Sequence, residues 1–180
     1  MTNMQTTAPA TDHIIIHADG ACLGNPGVGG WAFTKTLGEK TIRRSGRVLG
    51  ETTNNQMEMV AVLQAVRSLT RTDIPAVVFT DSEYVVKGLT EWLPRWVVNG
   101  WRGSGKKPVV NRELWEALKA AVDGHVAGVT LRWVKGHAGN PGNEEADALA
   151  NAEAARAAEG CSGNAQTLFC AERGLVVPLD

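Results

Sequence analysis

A mixed α/β sheet of about five strands, covered by helices on both faces, is the fold the sequence predicts. Three observations carry it. Three β-patterned runs follow one another between residues 13 and 49, the apolar spacing then turns helical over residues 52–69, and beyond Pro75 short apolar strands alternate with helical segments. Strands joined by short turns make an antiparallel meander, whereas strands separated by helices pair in parallel. The expected sheet therefore combines a three-strand meander with two parallel strands.

Each element has its own signal. "HIIIHAD" (13–19) is a β-branched run, "WAFTKTL" (31–37) alternates, and "TIRRSGRVL" (41–49) follows the turn-like "GEK". "TTNNQMEMVAVLQAVRSL" places Met59, Val60, Leu63, Val66 and Leu69 at helical spacing, with Thr53 and Gln56 as a capping box at its start. "AVVFTD" (76–81) is a short strand of the buried kind, and a helix runs from Ser82 towards Gly88. A Trp-rich, Gly-interrupted stretch covers 92–111, "RELWEALKAAV" returns to helical spacing, "VTLRWVK" is the last strand, and "NEEADALANAEAARAAE" is an alanine-rich helix.

The bulk numbers set limits. A chain of 180 residues with 43% apolar content supports one sizeable core and hence one domain, read as 13–159, with a fraying N-terminus over 1–12 and a tail over 160–180 of no evident role. A formal net charge of −1 excludes a globally basic protein, so any nucleic-acid contact has to come from a local patch. Cys22, Cys161 and Cys170 are odd in number and show no CxxC spacing, which speaks against a disulfide framework and a structural zinc site. No basic leader and no apolar run of bilayer-spanning length occur. A cytoplasmic monomer without membrane contact is the expectation.

"ADGACLGNPGVGGWAF" (18–33) holds five glycines. Gly27, Gly29 and Ala32 match G-x-G-x-x-A, the dinucleotide-binding turn, and Glu51 stands near the place of its ribose-binding acid. That turn needs its first glycine directly after a strand and a helix directly behind it. Here seven residues separate Asp19 from Gly27 and an alternating strand follows, so no helix N-terminus faces a pyrophosphate. A turn between two strands is the better reading, and attention moves to Asp19.

Asp19 is expected at the end of its strand, on the face of Ile15 and His17, and Asp81 at the carboxyl end of "AVVFTD", where open α/β sheets place their sites. Glu58 lies near the start of its helix between Met57 and Met59, and Asp147 shares a helix face with Asn143, Ala150 and Ala154. Singly, each is ordinarily a solvated acid or a cap. Gathered at converging strand ends they would repel, at ~4 Å by roughly 4 kcal/mol per pair at an effective dielectric near 20, and would need a cation. All-oxygen ligands select Mg²⁺ or Mn²⁺, and two such ions form the clamp used for in-line phosphoryl displacement.

Five segments, "HADGACLGNPGVGGWA", "TTNNQMEMVAVLQAV", "FTDSEYVVKGL", "GWRGSGKKPVVNRELWEAL" and "VKGHAGNPGNEEADALA", resemble in order and spacing the type 1 ribonucleases H of the bacterial kind, over about residues 13–155. The resemblance implies a ribonuclease H-like fold and an endonuclease acting on the RNA strand of RNA–DNA hybrids. It implies two Mg²⁺ ions, Mn²⁺ being the alternative, with Asp19 bridging them, Glu58 and Asp81 completing one site and Asp147 the other. His137 in "GHAGNPG" matches the family's mobile histidine, to which proton transfer or product release is attributed, and an imidazole is chemically able to act as acid or base. Glu144 matches an acid near the second ion, though Glu145 beside it serves as well.

A hybrid-reading surface must sense 2′-hydroxyls across a shallow minor groove, which calls for amides and backbone. Cys22, Asn25, Asn54 and Gln56 resemble the family's RNA-strand contacts, while capping by Asn54 and Asn55 stands beside that reading. Trp92, Trp96, Trp101 and Trp115 are interleaved with Arg95, Arg102, Lys106 and Lys107, with no acid between Trp92 and Asn111. Trp92 and Trp96, four apart, equally suit a core stripe; the resemblance reads the stretch as a basic protrusion and DNA-strand channel, with Thr53 and Asn111 at a DNA phosphate pocket. Val97 and Val98 stand where relatives carry more lysine, and Glu83 where many have an amide. Two rival functions remain at this point: a non-catalytic hybrid-binding module, and a DNA-directed nuclease or recombinase of the same superfamily.

Overall fold

A computed structural model describes residues 13–160. The expectations for residues 1–12 and for the tail from Cys161 onward, including Cys170, fall outside the described residues. Five strands, β1 (Ile14–Leu23), β2 (Gly27–Leu37), β3 (Lys40–Thr52), β4 (Ala76–Thr80) and β5 (Val129–Trp133), form one sheet in the order β3-β2-β1-β4-β5. β1, β2 and β3 pair antiparallel and β4 pairs parallel with both β1 and β5, as the meander-plus-crossover reading expects.

Helices cover both faces. On one, α1 (Asn54–Arg67) buries Met57, Met59, Val60, Leu63 and Val66 against Ile14, Ile16, Ala18 and Phe33 of the sheet. Its start is fixed by the expected capping box, the Thr53 hydroxyl accepting from the Gln56 N–H and the Gln56 side chain accepting from the Thr53 N–H. On the other face lies a long helix, Pro141–Ala158, whose Ala150 and Ala154 pack on Ala21 and Ala32.

Two local expectations are corrected. The glycine-rich stretch is strand rather than loop over most of its length, because β1 runs on to Leu23 and β2 begins at Gly27, leaving only 24–26 for the turn. Asp19 is therefore not at a strand end; it sits mid-strand, opposite Ala32 of β2. The glycines serve close approach. A Cβ at Gly20 would lie 2.2 Å from the Met57 carbonyl carbon and 2.3 Å from the Glu58 nitrogen, and one at Gly30 would lie 2.2 Å from the Ala150 carbonyl oxygen.

The helix after Ser82 does not end at Gly88. α2 (Glu83–Lys87) passes through one π-type turn, Gly88–Trp92, into α3 (Leu93–Val98). Gly88 is there to admit an indole: a Cβ would meet Trp115 Cη2 at 2.0 Å. Trp115 projects from α4 (Arg112–Asp123); the helix Pro141–Ala158 is α5.

Candidate active site

The pairing of β1 with β4 stops at His17 and Phe79, and β4 ends at Thr80. Beyond that point β1 continues beside β2 alone, so a crevice opens where the antiparallel and parallel halves of the sheet part. Asp19 comes into it from β1, Asp81 from the bend after β4, Glu58 from the second turn of α1 and Asp147 from α5. All four line one cleft of about 310 Å³ together with Cys22, Asn54 and Asn151. The convergence of the four acids, assumed from the sequence, is present.

Their electrostatics are those of an uncompensated cluster. Asp19 is 5% exposed; its Oδ1 accepts a 2.7 Å bond from the Gly20 N–H, while Oδ2 is buried without a hydrogen-bond partner. Burial above all, then Asp81, Asp147 and Glu58, pushes its pKa up to about 8, against the Gly20 bond. Glu58 is raised as well, mainly by burial; the Ser82 hydroxyl opposes this, Asp81 adds to it, and the Asn54 amide opposes it further.

Three of the acids rest on neighbouring polar side chains. Glu58 accepts from Asn54 Nδ2 at 2.8 Å and from the Ser82 hydroxyl, Asp147 from Asn151 Nδ2 at 2.8 Å, and Asp81 from Asn143 Nδ2 at 3.5 Å. Among the described residues no three carboxylate, imidazole or thiol groups are close enough to share an ion as placed, so this is an open cleft rather than a closed cage. The donor set still fits a hard divalent cation. Every charged ligand is oxygen, and the orphaned Asp19 Oδ2 among like charges lacks the partner a cation would provide. The sequence placed Ser82 at a helix start and Asn143 on the face of Asp147 without a role towards the acids, and Asn151, in the middle of the last described helix, passed as an ordinary polar residue. The signal available was their spacing: Ser82 adjoins Asp81, and Asn143 and Asn151 flank Asp147 four residues to either side.

His137 lies on the exposed loop between β5 and α5 with a left-handed φ of 50° and does not line the acid cleft. Its loop nonetheless abuts the cleft at Gly136, where a Cβ would stand 2.5 Å from Asp81 Oδ2. Glu144 and Glu145 separate clearly. Glu144 accepts from the Gly139 N–H at 3.0 Å and so holds the histidine loop, whereas Glu145 is ion-paired with Arg43 of β3.

The polar residues expected at a substrate surface form one connected run. Asn25 Oδ1 accepts from the Asn54 N–H at 3.1 Å, Gln56 Nε2 donates to Asn111 Oδ1 at 3.1 Å, and Asn111 Nδ2 reaches the Tyr84 hydroxyl at 3.4 Å. Thr53 is in the same run as the α1 cap. The Cys22 thiol donates to the Thr52 carbonyl at 3.3 Å. Beyond Tyr84 lies a larger groove of about 680 Å³, lined by Trp92, Trp96, Arg95, Arg102 and Lys107 among others and by no carboxylate. Trp92 and Trp96 are half-buried, their rings 5.8 Å apart, which joins the core and surface readings. Trp115, expected at the substrate surface, is instead completely buried, its ring packed against Tyr84 and Trp96, so as placed it supports the groove rather than lining it.

The RNase H family matches residues 11–155 of this chain. The ribonuclease H of Paramagnetospirillum magneticum is 51% identical over 148 residues, covering 82% of this chain and 93% of that protein. That of Bordetella bronchiseptica is 54% identical over 142 residues, covering 77% and 88% respectively. Among solved structures, LC9-RNase H1, described as a type 1 RNase H with the type 2 active-site motif, superposes with a TM-score of 0.68 at 33% identity, over 96% of this chain and 80% of that one. LC11-RNase H1, solved in complex with an RNA/DNA hybrid, gives a TM-score of 0.61 at 26% identity, over 81% and 99%. With the sheet order, the acid-lined crevice and this span of identity to bacterial enzymes all in agreement, the chain belongs to the RNase H family, among its type 1 members.

Proposed function

We propose that this chain is an endonuclease that hydrolyses the RNA strand of RNA–DNA hybrids, leaving 5′-phosphate and 3′-hydroxyl ends. The observation that carries the reading is the buried, unpartnered Asp19 oxygen facing three further carboxylates in one crevice. Two divalent ions, Mg²⁺ or Mn²⁺, would be held there by Asp19 between them, by Glu58 and Asp81 on one side and by Asp147 on the other. When bound, such ions supply an activated water and stabilise the departing oxygen. A crystal of LC11-RNase H1 with an RNA/DNA hybrid supports the choice of substrate.

The chain's own groups divide the remaining work. Cys22 and Asn54 line the crevice, Asn25 adjoins it through the Asn54 N–H and Gln56 lies along the same helix start, polar side chains suited to 2′-hydroxyls in a minor groove. Thr53 and Asn111, linked through Gln56, suit a phosphate of the DNA strand. Trp92 and Trp96 with Arg95, Arg102 and Lys107 offer stacking faces and charge to the same strand. His137 takes or returns a proton at the scissile bond as its loop moves over the crevice. The domain boundaries at 13–159 and a monomeric state belong to the same proposal.

The deciding experiment uses a hybrid with end-labelled RNA, assayed with Mg²⁺ and with EDTA beside duplex DNA of the same sequence. Cleavage of the RNA strand alone, only with metal, is expected; binding without cleavage would return the chain to a hybrid-binding module, and cut duplex DNA to a DNA-directed nuclease. His137→Ala lowers kcat by about 10²-fold with little change in hybrid affinity, the scale of a lost acid or base; an unchanged kcat removes the histidine from the chemistry.

The groove's charge sets a further expectation. Val98 is 84% exposed and Val97 44% exposed on α3, and Glu83 on α2 is ion-paired with Lys87. Each phosphate contact not made lowers the salt dependence by roughly 0.7–0.9 in slope. Val97→Lys with Val98→Lys therefore steepens log affinity against log salt by between one and two, measured on a hybrid between 50 and 200 mM salt. An unaltered slope shows that α3 does not face the backbone.

A further inference from the structure

Asp81 differs from the other three acids in its backbone setting. Glu58 and Asp147 are carried within helices and Asp19 within a strand, where ladder hydrogen bonds fix the direction of the Cα–Cβ bond. Asp81 occupies a one-residue bend between β4 and the Ser82 cap of α2, where no ladder holds its peptide. The Ser82 N–H of that peptide donates to the Thr80 hydroxyl at 3.2 Å, and the rest of its hold comes from the edge strand. The Trp133 indole N–H donates to the Asp81 main-chain oxygen at 2.9 Å, and the next residue, Val134, donates its N–H to the Thr80 oxygen at 3.0 Å. Two residues further on, Gly136 lies so close to the Asp81 carboxylate that a Cβ would come within 2.5 Å of Oδ2 and 3.4 Å of Cγ.

The exit of β5 thus grips one residue at two points. The indole fixes the peptide plane that sets where the Asp81 side chain starts, and Gly136 bounds where its carboxylate ends. Trp133 is 47% exposed, yet its indole N–H is turned inward to the Asp81 oxygen rather than to solvent. The geometry points to Trp133 as a positioning residue that, with Gly136, holds Asp81 in place for a divalent cation. The inference rests on the metal-dependent reading of the crevice. It also gives the histidine loop a mechanical link to the acids, since Gly136 is the residue before His137.

The test uses the full chain and metal alone. Mn²⁺ binding is followed by loss of the free-ion electron paramagnetic resonance signal, with thermal unfolding in EDTA measured in parallel. Trp133→Phe keeps the ring and most of its packing but loses the N–H. It is expected to raise the Mn²⁺ concentration for half-saturation about fivefold, the scale of one lost hydrogen bond, with KM for the hybrid unchanged and kcat restored by excess metal. Gly136→Ala, which displaces the carboxylate itself, is expected to raise it further, to about tenfold or more. A lowered unfolding midpoint in EDTA with metal affinity unchanged in both variants would make Trp133 and Gly136 merely structural and overturn the inference. Wild-type protein that takes up no Mn²⁺ would overturn the metal-dependent reading and the inference with it, so the two failures are told apart by the wild type.

Discussion

Asp19→Asn abolishes cleavage of the hybrid's RNA strand, by roughly 10³-fold or more, and at the same time stabilises the metal-free protein at alkaline pH. The first effect follows from the position of Asp19 at the centre of the acid cluster, where an amide is a poor ligand for a hard cation. The second follows from linkage. In the unfolded chain the Asp19 carboxyl titrates near 3.8, whereas in the folded protein burial and its acidic neighbours push it up to about 8. Between those values the unfolded chain has released the proton and the folded one still holds it. Stability therefore falls as pH rises from about 4 to about 8, at a rate approaching 1.4 kcal/mol per pH unit.

Below that window the folded and unfolded carboxyls are both protonated and the contribution is fully present; above it both are ionised and it is lost. An asparagine does not titrate, and its amide keeps the oxygen that accepts from Gly20 while adding a donor towards the remaining acids. Urea unfolding in EDTA at pH 5.5, 7 and 8.5 should show wild type losing stability to the variant as pH rises. Mg²⁺ added at pH 8.5 should stabilise wild type and leave the variant nearly unaltered. Cleavage persisting in the variant, or a stability difference independent of pH, would falsify the central role given to Asp19.

The four acids were legible in the sequence because each stands at a marked place: a strand, a strand end, the opening turns of a helix, a helix face shared with alanines. The capping box of α1 was legible because two side chains three apart specify it locally. What escaped is what tertiary packing decides. A period-2 pattern is written in side chains, and Gly20, Gly27, Gly29 and Gly30 have none, so strands that run on to Leu23 and from Gly27 read as a loop. Gly88 read as a stop because its reason is across the core, in the ring of Trp115. The indole of Trp133 was silent for the same reason, since nothing near it in the chain announces Asp81.

Gly20→Ala should be far more damaging than one methyl group suggests, costing about 3 kcal/mol or more and removing most cleavage even where the protein remains folded. Its Cβ would meet backbone, 2.2 Å from the Met57 carbonyl carbon and 2.3 Å from the Glu58 nitrogen, so no side chain can swing aside and α1 itself has to retreat from β1. Glu58 moves with it, away from Asp19. Gly30→Ala does the same on the opposite face, against the Ala150 oxygen and the Ala154 nitrogen at 2.2 and 2.6 Å, and displaces α5 with Asp147. Gly50→Ala, with no atom within 4 Å of the added carbon, is the matched control and should be close to neutral. Denaturant unfolding with hybrid cleavage on the three variants separates the cases. If Gly20→Ala were as mild as Gly50→Ala, the glycines would be turn residues after all. If it is severe, their function is to bring two helices close enough to the sheet for acids from both to meet Asp19.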